Sequence, residues 1–466
     1  MEELTKSLDI VSDDHIDDHV DDEIQRCLMS EPPKSFFMFA GAGSGKTRSL
    51  INTLEFLAKE KGEYLLEHGK QVAVITYTNA ACDEINRRLQ YSPIFMVSTI
   101  HSFLWELIKN FQVDIRQWLE KTISKEISEL QSKVRKTANE DKKFAKKKER
   151  LERIKLVKRF TYNPNGDNVG FDSLEHSEVV SIGAKFISSE ETMKQILVDK
   201  YPILLIDESQ DTKRELVEAL LEVYKEKKGH WTIGMFGDSM QRIYQDGKEN
   251  LEAVIPSEWE RPGKVMNHRS AKRIVSLANA IRLPYDHKEQ NPRSDSIEGS
   301  VRLFIAHSDS DKDDTERKVA KAMAEVCNDE KWLDEDGFEC LILEHLMAAK
   351  RFHFDNIYSV LNESKLFDTA LRKGEIPEIS FLYNTVLPLI KAHQNDDEFE
   401  VTRLLRRDSP LLSREIFKSN LSTQQDMIQK AELAAESLFS LWNNGLIPSC
   451  IKLRDMSRQF QQNYPK

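Results

Sequence analysis

Cysteine is scarce and scattered: the chain has five in 466 residues (Cys27, Cys82, Cys327, Cys340 and Cys450), none in a CxxC spacing. That excludes the usual zinc-ribbon spacings and a disulfide framework, and it fits a reducing compartment. Glycine (17) and proline (14) are also few, so neither a fibrous repeat nor a disordered linker chain is indicated. No run of about 18 apolar residues occurs, as a membrane helix would need. The N-terminus, MEELTKSLDIVSDDH, is acidic where a secretory leader has an apolar core. These absences together predict a cytoplasmic protein that does not enter a membrane. A basic balance is missing too: 67 Lys and Arg stand against 78 Asp and Glu, a formal charge of -11, so net charge gives no hint of nucleic acid.

What is present is a globular, helix-rich composition, 39% apolar and 31% charged. Single cores stop growing near roughly 250–300 residues, so a chain of this length accommodates two to four domains. Charge is unevenly spread. Asp9, Asp13, Asp14, Asp17, Asp18, Asp21, Asp22 and Glu23 crowd the start, whereas residues 133–159 hold thirteen basic residues against four acidic ones.

Residues 35–50, SFFMFAGAGSGKTRSL, run from an apolar strand through a glycine-rich turn into a helix start, the order of a phosphate-binding loop. Gly41, Gly43 and Gly45 admit backbone conformations closed to other residues, so successive N–H groups can turn inward onto phosphate oxygens. The cradle runs from Gly41 through Ala42, Gly43, Ser44 and Gly45 to Lys46, Thr47 and Arg48, where a helix dipole adds its positive end. Lys46 would reach the β- and γ-phosphates of ATP, and the Thr47 hydroxyl would ligate Mg²⁺. The alternative is a glycine-rich turn that binds nothing.

A second stretch weighs against that alternative. YPILLIDESQD (201–211) is an apolar run ending in carboxylates, as a buried parallel strand does when it delivers side chains to the ligand edge of an α/β sheet. Asp207 would hold Mg²⁺, and Glu208 would activate the water that attacks the γ-phosphate.

From Gln25 to Arg269 the sequence resembles the UvrD/Rep-like superfamily 1 DNA helicases, motif after motif in order. Gln25, fifteen positions before Ala40, is similar to the family's adenine-reading glutamine; Ala40 replaces the usual first glycine of the loop. VITYTNAACDEINRRL (74–89) and STIHSFL (98–104) resemble motifs that face single-stranded DNA. The resemblance implies DNA contacts for Thr78, Asn79, Thr99 and His101, with Ala80 replacing a lysine. IDESQD (206–211) resembles the family's acidic box, where Gln210 and Asp211 link the ATP site to DNA. MFGDSMQRIY (235–244) implies a γ-phosphate sensor in Gln241 and a base-stacking aromatic in Tyr244, although Asp246 and Gly247 depart from the aromatic and arginine that follow in many members. NHRSAKRIVSLAN (267–279) implies an arginine finger at Arg269.

Residues 280–466 carry neither of the two late motifs that normally finish such a motor. The expectation is either a fragment that stops within a helical insertion, which we favour, or a reduced motor completed by a partner. The predicted fold is an α/β P-loop NTPase (RecA-like) parallel sheet. Residues 1–110 and 198–260 form its first motor domain, with strands near 35–40, 71–77, 94–98, 203–207 and 232–237. A helical basic insertion occupies 111–197, a partial second RecA-like domain 261–345, and a helical insertion 346–466. Strands are expected at VRLFIA (301–306) and ECLIL (339–343) around a helix at 314–327. The basic run is either an arm on DNA phosphates or a solvated hairpin held by ion pairs. The function implied is an ATP-dependent 3′→5′ DNA helicase or translocase, in repair or antiphage defence. The first alternative is an ATP- and DNA-sensing subunit that unwinds weakly beside a nuclease subunit, of the kind found in Gabija-type antiphage systems. The second is a P-loop ATPase that acts on protein.

Overall fold

The computed structural model describes residues 15–132, 138–164, 168, 170–242, 251–307, 309–334, 336–363, 376–409, 412 and 424–440. Two units emerge, residues 1–305 and 306–466.

The first unit is built on five apolar runs, each too short for a helix with its own core and rich in β-branched or aromatic residues. They form β1 (Phe36–Ala40), β2 (Val72–Thr76), β3 (Phe95–Thr99), β4 (Ile203–Ile206) and β5 (Thr232–Gly237). With a two-residue strand, β6 (Gly263–Lys264), they make a six-stranded sheet in the order β3-β2-β4-β5-β1-β6. Every pairing is parallel. A parallel sheet is covered on both faces, which is why these strands read as continuous apolar runs.

Alternation along the strands sorts the core into two layers. Phe37, Ile75, Leu204, Ile206, Ile233 and Met235 pack with Phe103, Leu104, Ile182 and Leu220. Those partners come from α4 (Ile100–Ile108), α7 (His176–Ser189) and α9 (Arg214–Glu226). The strand residues that alternate with these, among them Phe36, Met38, Val74, Leu205 and Phe236, pack with Ile24, Leu50, Leu54 and Ile85. These belong to α1 (Asp18–Met29), α2 (Lys46–Glu67) and α3 (Asn79–Arg88). At the centre Gly234 of β5 admits the fully buried ring of Phe36: a Cβ there would lie 2.4 Å from Phe36 Cζ and 2.6 Å from Leu205 Cδ2.

Between β3 and β4 lie α5 (Gln112–Ser132) and α6 (Ala138–Ile154), then α7 and α8 (Glu191–Lys200). The α5 stripe buries Leu119 and Ile123. Lys147 pairs with Glu126 across the hairpin, and Arg150 reaches Glu175 (3.2 Å) and Glu178 (2.6 Å). Arg153 and Lys155 pair locally with Glu149 (2.5 Å) and Glu152 (3.0 Å). These ion pairs tie the described part of the hairpin to itself and to α7.

After β6 the chain forms a short parallel pair, β7 (Met266–Asn267) with β8 (Asn291–Pro292), around α11 (Lys272–Arg282); a one-turn α10 (Leu251–Val254) precedes them. In the second unit the described secondary structure is helical, beginning with α12 (Lys312–Cys327), and a small core gathers Leu389, Ile390, Leu404 and Phe439. The strands expected at 301–306 and 339–343 are not formed. Leu303 and Ile305 are 86% and 89% exposed, and Leu341 and Leu343 are each 96% exposed. A strand exists only against a hydrogen-bonded neighbour, and neither run has one among the described residues. No described helix is long and apolar enough to cross a membrane.

Candidate nucleotide site and its flanks

All strands of the main sheet point the same way, so their C-terminal ends share one edge. β1 ends there in the glycine-rich turn, β4 in the acid pair, and β5 lies between them.

Gly43 and Gly45 adopt φ of +76° and +84°, in the left-handed region that glycine enters without strain. At Gly43 space adds a second requirement, since a Cβ would meet Asn267 Oδ1 at 2.8 Å and Arg269 Cβ at 2.9 Å. Gly45 is the N-cap of α2, so Lys46, Thr47 and Arg48 form its first turn, whose N–H groups have no intrahelical carbonyl to reach. The Ser44 hydroxyl donates to Gly41 O at 2.8 Å and closes the turn on itself.

The loop is also held from outside. Asn267 Nδ2 and Gln290 Nε2 donate to Ala42 O at 2.8 and 3.1 Å, and His268 N donates to Gly43 O at 2.8 Å. Asn267 Oδ1 in turn accepts from the backbone N–H groups of Arg269 (3.0 Å) and Ser270 (2.9 Å). The segment carrying Arg269 is thus fastened to the phosphate loop, with Arg269 itself exposed.

Opposite, Asp207 extends the β4 ladder by donating its N–H to Ile75 O at 2.8 Å, and its carboxylate accepts from Glu208 N at 3.0 Å. Glu208 has φ of +48°, unusual for a residue with a side chain. Lys46 and Glu208 form an ion pair, yet the buried Lys46 Nζ makes no hydrogen bond of good geometry among the described residues, so its donors remain available to phosphate oxygens. Gln210 Nε2 donates to Glu208 Oε2 at 2.7 Å while Gln210 Oε1 accepts from Asp238 N at 3.2 Å, joining the ends of β4 and β5. The structure therefore brings together Lys46, Asp207 and Glu208, with Thr47 and Arg48 exposed on the adjoining helix turn. Gln241 lies in the turn after β5 and donates through Nε2 to Asp238 Oδ2 at 2.8 Å.

Burial pushes the Asp207 carboxyl up to about 6; the neighbouring Glu208 adds to this and Lys46 opposes it. The ordinary value is 3.8, so the folded state holds this proton more tightly than the unfolded one. The stability it confers is complete below pH 3.8 and is lost as pH rises through 6. Each pKa unit is worth about 1.4 kcal/mol. Without nucleotide or magnesium, Asp207→Asn should therefore be more stable than the unaltered chain at pH 8 by about 1–3 kcal/mol. The difference should shrink toward pH 4 in urea titrations; a pH-independent difference would contradict this electrostatic account.

Gln25 lies half-buried on α1. That helix is pinned to the site by its own acids: Asp21 accepts from Ser49 Oγ (2.5 Å) and Asn52 Nδ2 (2.7 Å), and Asp17 accepts from Val265 N (3.1 Å) and Met266 N (2.9 Å). The acidic run at the start is thus partly a latch. Thr78 and Thr99 are N-caps of α3 and α4, accepting from Ala81 N at 3.1 Å and Ser102 N at 3.4 Å. Asn79 is exposed at the start of α3. His101 lies edge-on to His176 at 5.2 Å between centroids, and His176 Nδ1 meets the Tyr162 hydroxyl at 2.6 Å. Tyr244 falls outside the described residues. Sequence reasoning missed the loop clamp of Asn267 and Gln290 and the partners of Asp238; no spacing signal announces a contact formed by chain crossover.

A family model described as an AAA domain matches residues 25–246. Gabija protein GajB of Bacillus cereus is 29% identical over 73% of this chain and 61% of its own length. ATP-dependent DNA helicase Rep of Buchnera aphidicola is 23% identical over 90% of this chain and 66% of its own length. ATP-dependent DNA helicase PcrA of Staphylococcus aureus is 21% identical over 77% and 52%. The chain thus spans 61%, 66% and 52% of these three relatives. The stretch matched by the family model holds both the phosphate loop and the acid pair, and over most of its length the chain is similar to the DNA helicases Rep and PcrA and to the Gabija protein GajB.

Proposed function

We propose that the chain is a cytoplasmic ATP-dependent motor on single-stranded DNA, a helicase or translocase of 3′→5′ polarity. The observation that carries this is the buried Lys46 amine, which has a counter-charge in Glu208 but no hydrogen-bond partner among the described residues, behind a glycine cradle with no room for a side chain at position 43. Such a site fits the γ-phosphate end of a nucleoside triphosphate. Thr47 and Asp207 would hold Mg²⁺, which when bound neutralises charge on the phosphates.

Lys46 and the first-turn N–H groups of α2 orient the triphosphate, and Gly43 lets the backbone approach it. Glu208 takes the proton of the attacking water. Gln241 contacts the γ-phosphate from the β5 end, and Arg269 stabilises the charge that develops there. Gln25 reads the adenine edge through its amide. For DNA the supporting observation is register: Thr76 pairs with Thr99, so Thr78 with Asn79, and Thr99 with His101, leave neighbouring strands at the edge that also bears the nucleotide site. Closure on ATP and reopening after hydrolysis would alternate the grip on DNA.

The test is ATP turnover with and without single-stranded DNA, beside strand displacement on duplexes with 3′ or 5′ tails. Stimulated turnover with displacement from the 3′ tail is expected. Turnover unmoved by DNA would overturn the DNA reading and favour an ATPase acting on protein. A second reading has support from Ala80, which replaces a phosphate-contacting lysine, and from the likeness to GajB: an ATP- and DNA-sensing subunit acting with a nuclease. Stimulated turnover without displacement would select it.

A further inference from the structure

Asp238, directly after β5, is fully buried, and four donors converge on its carboxylate. Oδ1 accepts from Met240 N at 3.1 Å and Oδ2 from Gln241 Nε2 at 2.8 Å. The Arg282 guanidinium spans both oxygens, Nη1 to Oδ2 and Nη2 to Oδ1, each at 2.9 Å. Arg282 is the last residue of α11 and is buried. Its Nη2 also donates to Asp286 Oδ2 at 2.5 Å, and its guanidinium lies 5.4 Å from the centroid of the Phe39 ring, next to the phosphate loop.

We infer that Arg282 is a positioning residue for Gln241: its two-pronged grip fixes the Asp238 carboxylate, which in turn aims the Gln241 amide at the terminal phosphate. This rests on the ATP-site reading above. The turn that bears Gln241 is three residues long, with none of its own side chains fully buried, so the hydrogen bond to Asp238 is what fixes the amide's direction among the described residues. A bidentate guanidinium–carboxylate pair fixes orientation as well as distance. Lysine offers a point charge and cannot span both oxygens. The opposite end of α11 starts just after Arg269, so one helix bears on both groups proposed to meet the γ-phosphate. A buried ion pair is by itself weak evidence of stability, and its consequence here is sought in ligand discrimination.

The experiment measures equilibrium binding of ADP and of a non-hydrolysable ATP analogue, with magnesium, to the full chain. Arg282→Lys, Gln241→Ala and the double variant are compared with the unaltered protein. Both single variants should weaken the ATP analogue by about 10-fold, the worth of one hydrogen bond to a charged group, with ADP binding essentially unmoved. The double variant should bind no more weakly than Gln241→Ala alone, because Arg282 acts through Gln241. Should Arg282→Lys fail to fold, Asp238→Asn/Arg282→Met removes both charges together and should show the same loss of discrimination. Multiplying losses in the double variant, equal losses for ADP and analogue, or intact discrimination in Arg282→Lys would each overturn the assignment alone. Absence of nucleotide binding by the unaltered chain would bring down the ATP-site reading and this assignment with it.

Discussion

Lys46→Ala should reduce DNA-stimulated ATP turnover to background. Removing one preorganised charge-stabilising donor typically costs on the order of 10²–10³ in rate. Here more is removed than a donor. The Lys46 amine is the counter-charge of Glu208 and opposes the rise of the Asp207 pKa. Without it the two acids face one another and the incoming phosphates uncompensated, so nucleotide affinity should fall together with turnover. The check is steady-state hydrolysis over a range of ATP concentrations, with a urea titration to confirm folding. Turnover within about twofold of the unaltered chain would refute the nucleotide-site assignment, since a difference that small is under half a kcal/mol.

The main sheet was legible because a parallel strand buried on both faces writes an unbroken apolar run. Each of the runs assigned to β1 to β5 lies within one or two residues of the observed strand. The same signal misled at 301–306 and 339–343. VRLFIA and ECLIL have β-forming composition, but composition reports what a segment can pair with, never whether a neighbour is there. The helix at 112–132 announced itself by the three- and four-residue spacing of Leu119, Ile123, Ile127 and Leu130, and the helix at 312–327 starts within two residues of the one expected at 314–327.

Within the site, residues fixed by local backbone chemistry were readable, because the glycines and the carboxylates that follow a strand sit at short, set spacings. Contacts made across long separations were not. Asp238 and Arg282 are 44 positions apart, and Ala42 and Gln290 are 248 apart. Nothing in either neighbourhood names the other. Thr78 and Thr99 show a different limit: their hydroxyls cap helices, a task that the residue type alone does not separate from contact with DNA.

Glu208→Gln should lower turnover by about 10²–10⁴, the usual worth of a general base, while ATP binding is kept or tightened. The amide keeps the side chain's shape but cannot accept a proton from water. Its effect on its neighbours runs in the opposite direction to that of Lys46→Ala. Glu208 raises the Asp207 pKa and Lys46 lowers it, so loss of the Glu208 charge leaves Asp207 more readily ionised and Lys46 facing the phosphates alone. Binding and chemistry should therefore separate in this variant, whereas they fall together without Lys46. The backbone supplies a control. At φ of +48° Glu208 carries a left-handed strain of about 1–2 kcal/mol, which glycine would relieve. Glu208→Gly should then be at least as stable as the unaltered chain in a denaturant titration and as inactive as Glu208→Gln. An active Glu208→Gly would mean that the water is activated elsewhere, and that the strained acid serves only to hold Lys46.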